Sequence, residues 1–181
     1  MKILFDTCVL YPTVMRHALM GACRVMAWEP LWSERILEEW ARSTRKLGTE
    51  GEMQARAEIA LLRADWPKAC VAYSQKVEQR LALPDLADRH VLAAAIAGSA
   101  DVVVTLNNKD FPKHILWEEG VDRLDPDRLL YQAWLERPDA MVAVGDDILR
   151  EARVMSDNDW TLRGLFKKAR LPKFAKAIAS G

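Results

Sequence analysis

Three cysteines in 181 residues are too few and too irregularly spaced to build the fold. Cys8, Cys23 and Cys70 match neither a zinc motif nor a dense disulfide framework. Each reads as a reduced, mostly buried small apolar side chain of a cytoplasmic protein. His17, His90 and His114 also lack metal-ligand spacing. No apolar run approaches membrane-spanning length, and no signal-peptide pattern opens the chain. Charge of one sign is missing too: 26 Lys and Arg stand against 26 Asp and Glu, for a formal net charge of +0. No long-range field draws in a polyanion, so any surface for one must be a local patch. What the chain has is a folding composition. It is 50% hydrophobic and 29% charged, which predicts a packed core in one domain, or in one domain with a helical appendage.

Met1-Lys2-Ile3-Leu4-Phe5 is an apolar run too short for a helix and suited to a buried strand. Asp101-Val102-Val103-Val104-Thr105-Leu106 is a β-branched run, the pattern of a strand covered on both faces. Shorter extended pieces fit residues 28–32 and 121–124. Helical spacing covers residues 11–26, 34–44 (behind Ser33 as N-cap), 53–64 and 68–80. Residues 43–52 read as a loop. An alanine-rich helix is entered at Asp85 and ended by Gly98. Strand-helix alternation predicts an α/β fold with a parallel sheet flanked by helices. Beyond Asp125 only helical patterns remain, at 127–135, 140–154, 157–168 and 171–179. The division expected is residues 1–125 as the α/β domain and 126–181 as an all-helical C-terminal extension.

Four acidic residues stand in matching contexts. Asp6 follows the first strand, at the end where open α/β sheets place their ligands. Glu39 lies on the edge of the apolar arc defined by Ile36, Leu37 and Trp40 at about 100° per residue, while Glu38 points to solvent. Asp88 falls in the first turn of the alanine-rich helix, and Asp110 follows the second long strand. Three of them have an ordinary alternative: a turn cap for Asp6, a solvated boundary for Glu39, and a dipole-stabilising carboxylate for Asp88, which also covers Asp85 on the same face. All four are expected at one sheet edge, where mutual repulsion makes the cluster costly without a cation. Carboxylates suit magnesium or manganese and point to phosphoryl-transfer chemistry. Thr105 and Asn107 are uncharged groups placed to orient ligands or water, or simply to cap the strand end. Arg16, Arg89, Lys109 and Lys113 are candidate phosphate contacts, against the alternative of solvated surface charge.

The chain resembles the PIN-domain nucleases over about residues 2–125. The resemblance rests on Ile3-Leu4-Phe5-Asp6-Thr7-Cys8-Val9-Leu10, on Trp32-Ser33-Glu34-Arg35-Ile36-Leu37-Glu38-Glu39, on residues 85–97, and on Asp101-Val102-Val103-Val104-Thr105-Leu106-Asn107-Asn108-Lys109-Asp110-Phe111-Pro112. Within the family it is most similar to VapC-like toxins with a helical C-terminal extension. The resemblance implies a parallel sheet of about five strands and an endoribonuclease dependent on magnesium or manganese. It also implies an RNA substrate, inhibition by a cognate antitoxin, and homodimers. The family's acidic positions fall on Asp6, Glu39, Asp88 and Asp110, its strand-end threonine on Thr105, and a polar residue that often follows on Asn107. Many relatives carry asparagine two residues after the first aspartate, where this chain has Cys8.

Two other functions are compatible with an α/β chain. A non-catalytic PIN-like module would keep the fold and bind RNA or a protein, and the four intact acids argue against it. An aspartate-nucleophile phosphatase would need a second aspartate at the position of Cys8. In the tail, Arg163, Lys167, Lys168, Arg170, Lys173 and Lys176 form a basic run that reads as a surface for RNA or an acidic partner, or as a solvated helical face.

Overall fold

Ile3, Leu4 and Phe5 are wholly buried, and the strand they form is the inner strand on which the sheet is built. In the computed structural model, which describes residues 1–156 and 158–180, β1 (Lys2–Phe5) lies between β2 (Glu29–Leu31) and β3 (Val102–Val104), parallel to both. β4 (Asp122–Leu124) completes the order β2-β1-β3-β4. Leu4 is in register with Leu31 on one side and Val103 on the other. Burial on both faces explains why β1 and β3 read as continuous apolar runs. The sheet has four strands where about five were expected. Beyond β2 the chain adds only an isolated parallel bridge, Trp32 to Cys70, held by Trp32 N–H to Ala69 O at 3.0 Å and Val71 N–H to Trp32 O at 2.8 Å.

The chain forms two compact units, Met1–Tyr11 with Glu29–Arg123, and Pro12–Trp28 with Leu124–Gly181. In the first, α1 (Thr7–Leu10) starts directly after Asp6, and α3 (Glu34–Ser43) buries Ile36, Leu37, Trp40 and Ala41. The Ser33 hydroxyl accepts from Ile36 N–H, the expected cap. The expected loop at 43–52 is instead a 3₁₀ turn (Thr44–Leu47) followed by α4 (Thr49–Asp65). The break is Gly48, at φ 91°, a conformation that favours glycine. The expected helix 68–80 shrinks to α5 (Gln75–Arg80), because residues 69–71 spend their backbone groups on Trp32. A 3₁₀ turn (Leu86–Asp88) leads into α6 (Arg89–Ala97), whose alanines are buried. A further short helix, α7 (Lys113–Glu118), follows β3.

The second unit is all helical: α2 (Thr13–Met26), α8 (Pro126–Glu136), α9 (Pro138–Met155), α10 (Leu162–Lys168) and α11 (Pro172–Ile178). The expected helix start at Asp157 falls outside the described residues. α10 begins instead where the Thr161 hydroxyl accepts from Gly164 N–H. Asp127, only 8% exposed, accepts from the Lys173 and Phe174 N–H groups at 2.9 Å each, and so ties the start of α11 to α8. Among the described residues no helix is long and apolar enough to cross a membrane.

Candidate metal centre

Parallel strands deliver their C-terminal ends to one edge of the first unit, and the acidic residues gather there. Asp6 leaves β1, and its backbone N–H still bonds Val104 O at 3.1 Å. Its Oδ2 accepts from the Thr105 hydroxyl at 2.7 Å and from the Cys8 thiol at 3.0 Å. Thr105 in turn accepts from Asn107 N–H at 3.0 Å, and the Asn107 side-chain amide donates to Asp88 Oδ2 at 3.2 Å. A hydrogen-bonded chain therefore runs from Asp6 to Asp88. Asp101 sits at the other end of β3, accepting from Lys2 N–H at 2.6 Å, well away from this edge.

Asp85, Asp88 and Asp110 each place a carboxylate oxygen so that the three atoms lie within 4.8 Å of one another. Asp85 is exposed; Asp88 and Asp110 are half-buried. Burial, together with the negative charges of Asp6, Asp85 and Asp110, pushes the Asp88 carboxyl up to about 6. The loop that carries Asp110 is held by Arg123, whose guanidinium donates to Asn108 O at 2.5 Å and to Phe111 O at 2.8 Å.

Glu39 lies outside that trio. Its Oε1 meets His90 Nε2 at 3.1 Å and Arg35 Nε at 3.2 Å, and its Oε2 accepts from the Thr7 hydroxyl at 3.3 Å. Burial opposes ionisation of Glu39, but the His90 and Arg35 contacts outweigh it and hold the carboxyl below its usual range. Arg35 also donates to Glu78 at 2.9 Å and to Ala87 O at 3.4 Å, joining α3 to α5 and to the turn that carries Asp85 and Asp88. His90 is 1% exposed, and its Nδ1 has no hydrogen-bond partner among the described residues. A buried nitrogen left unpaired costs stability, so this histidine is not explained by packing alone.

The basic candidates divide. Lys109 is exposed beside Asp110. Lys113 pairs with Asp122 at 3.1 Å and lies 5.6 Å from the Trp117 ring centroid. Arg89 is half-buried, with its Nε unpartnered among the described residues. Arg16 is 3% exposed on α2 of the second unit.

From the sequence Asp85 reads as a capping residue, and it does accept from Ala87 N–H at 2.8 Å. Its approach to Asp88 is legible only as an Asp-x-x-Asp spacing that one turn brings together. Cys8 bridges the two strand ends: it donates to Asp6, and its sulfur accepts from Leu106 N–H at 3.3 Å. Burial and the Asp6 charge push this thiol up to about 12, so it stays protonated and able to donate.

The PIN domain family profile matches residues 2–109, more than half of the chain, and the chain belongs to that family. PIN domains are generally metal-dependent nucleases. No curated protein and no solved structure matches the chain. The donor set fits a hard divalent cation: three converging carboxylates, one of them resisting ionisation because it is half-buried and its neighbours are already negative.

Proposed function

We propose that this protein is a divalent-metal-dependent endoribonuclease and the toxin of a type II toxin–antitoxin pair, of the VapC-like kind. The observation that carries the reading is the convergence of the Asp85, Asp88 and Asp110 carboxylate oxygens within 4.8 Å of one another. Three carboxylates this close, with the Asp6 charge acting on Asp88, are costly alone and favourable around a positive charge. In this reading Asp6, Glu39, Asp88 and Asp110 do the catalytic and metal-holding work, with Asp85 sharing the ion held by Asp88 and Asp110. Magnesium or manganese, when bound, supplies Lewis acidity that offsets charge developing on the phosphodiester oxygens and acidifies water.

The other groups have separate tasks. Thr105 and Cys8 fix the Asp6 carboxylate through its Oδ2. Asn107 fixes Asp88 through its own Oδ2. Arg35 and His90 keep Glu39 ionised and oriented. Lys109 and Arg89 offer positive charge to a substrate phosphate. Single-stranded RNA is the preferred substrate, because its unstacked segments can reach such a site. A cognate antitoxin, a homodimer and a cytoplasmic location belong to the same proposal, through the similarity of residues 2–125 to VapC-like toxins.

Incubation of unstructured RNA with the protein and manganese tests the enzyme. Cleavage is expected for the wild type and lost in Asp6→Asn, with the variant still folded. Wild-type cleavage rates in Asp6→Asn would end the assignment. Growth arrest on induced expression, relieved by the same substitution, tests the toxin role.

A further inference from the structure

The last twenty-one residues contain six Lys and Arg and no Asp or Glu, in a chain whose formal charge is +0. The proposed active site does not use this excess. Arg163, Lys167, Lys168, Arg170, Lys173 and Lys176 are all exposed, while Leu165, Phe166, Leu171, Phe174 and Ile178 are buried. On α10, Lys167 lies opposite the arc of Leu165 and Phe166 with Arg163 on its flank; on α11, Lys176 lies opposite the arc of Phe174 and Ile178 with Lys173 on its flank. The two helices meet through Phe166 and Phe174, packed edge to face at 5.3 Å. Among the described residues none of the six cations pairs with a carboxylate. Lys168 rests over the Trp160 ring, 4.8 Å from its centroid.

The turn between the helices adds an independent observation. α10 ends with Leu171 N–H bonded to Phe166 O at 3.0 Å and Arg170 N–H bonded to Lys167 O at 3.1 Å, a Schellman motif. Its left-handed position, at φ 64°, is Arg170. Glycine is the residue such a position favours. The chain keeps a cation there against its backbone preference.

We propose that the outer faces of α10 and α11 form a surface that binds the phosphodiester backbone of single-stranded RNA. A protein partner would need apolar anchors at the centre of its contact. Among the described residues 161–180 there is no large exposed hydrophobic side chain. Lysines and arginines without apolar anchors suit a polyanion whose charges repeat along its length. The choice of RNA among polyanions rests on the nuclease reading.

The test uses the full chain in EDTA, so that binding is measured without cleavage. Anisotropy of labelled oligouridine is followed against salt for wild type, for K167Q/K173Q/K176Q and for Arg170→Gly. Binding by the wild type is expected. The triple variant should bind about 10-fold more weakly, and its log–log salt slope should be shallower by roughly 2, because each phosphate left without its cation lowers the slope by about 0.7. Arg170→Gly should bind more weakly while melting no lower than wild type, a combination that a merely structural arginine would not give. No RNA binding by the wild type, equal affinity and slope in the triple variant, or binding of polyglutamate in preference to oligouridine would each overturn the proposal. Cleavage with manganese, assayed separately, reads the nuclease assignment and can fail independently.

Discussion

Asp88→Asn should stabilise the metal-free protein, in a way that depends on pH. The Asp88 carboxyl has an ordinary value of 3.8 and is pushed up to about 6 by burial and by Asp6, Asp85 and Asp110. A carboxyl raised on folding contributes stability that is complete below its unfolded value and is lost as pH rises through its folded value. The wild type should therefore lose stability between about pH 4 and pH 7, and little more above that. The gap corresponds to roughly 3 kcal/mol. Solvent reaches this half-buried group, and screening reduces the effect to about 1–2 kcal/mol. Asparagine removes the charge and still offers an oxygen to the Asn107 amide. In EDTA at pH 7.5, calorimetry should show Asp88→Asn melting about 3–6 °C above wild type, with the two converging towards pH 4. Manganese should reverse the order, because ligand binding stabilises only the protein that holds it. Equal melting at every pH, or a lower melting point for the variant at pH 7.5 in EDTA, would refute the electrostatic argument.

Other substitutions probe separate parts of the molecule. Cys8→Ser keeps a donor to Asp6 and should retain cleavage within about 3-fold, whereas Cys8→Ala leaves the Leu106 N–H unpaired and should cost about 1–2 kcal/mol in urea denaturation. Arg35→Met frees Glu39 and the Ala87 turn; kcat should fall roughly 10–100-fold through misplacement of the carboxylates, with less than about 1 kcal/mol of stability removed because the ion pairs are solvent-exposed. Asp127→Ala removes the buried acceptor of two α11 N–H groups and should cost about 2–3 kcal/mol, read as a lower urea midpoint.

Much of the first unit is legible in the sequence because its signals are local. The runs Ile3-Leu4-Phe5 and Val102-Val103-Val104 have no polar alternation, and both are buried inner strands. Ser33 marks its helix start as sequence rules predict; the alanine-rich helix does end at Gly98, but the left-handed position falls on Ser99, and Gly98 is where the Leu31 side chain packs close. The misreadings involve tertiary choices. Residues 68–74 have helical spacing, but Trp32 claims the backbone of Ala69 and Val71. At the site, Asp88 and Asp110 are visible as acids at strand and helix ends. Asp85 is not, because its capping bond accounts for it locally and its approach to Asp110 is set by the fold. His90 is hidden for a similar reason: its contact with Glu39 links α3 to α6, whereas the Arg35–Glu39 pair is an i,i+4 contact within α3. Segment 12–28 groups with the C-terminal helices, and nothing in its own periodicity carries that information.

Calorimetric titration of manganese into the wild type and Asp110→Ala asks outright whether these carboxylates hold a cation. Saturable binding by the wild type is expected, roughly in the micromolar to millimolar range, with its loss in Asp110→Ala while the fold stays intact. Equal binding by the two proteins, or none by the wild type, would contradict the metal centre.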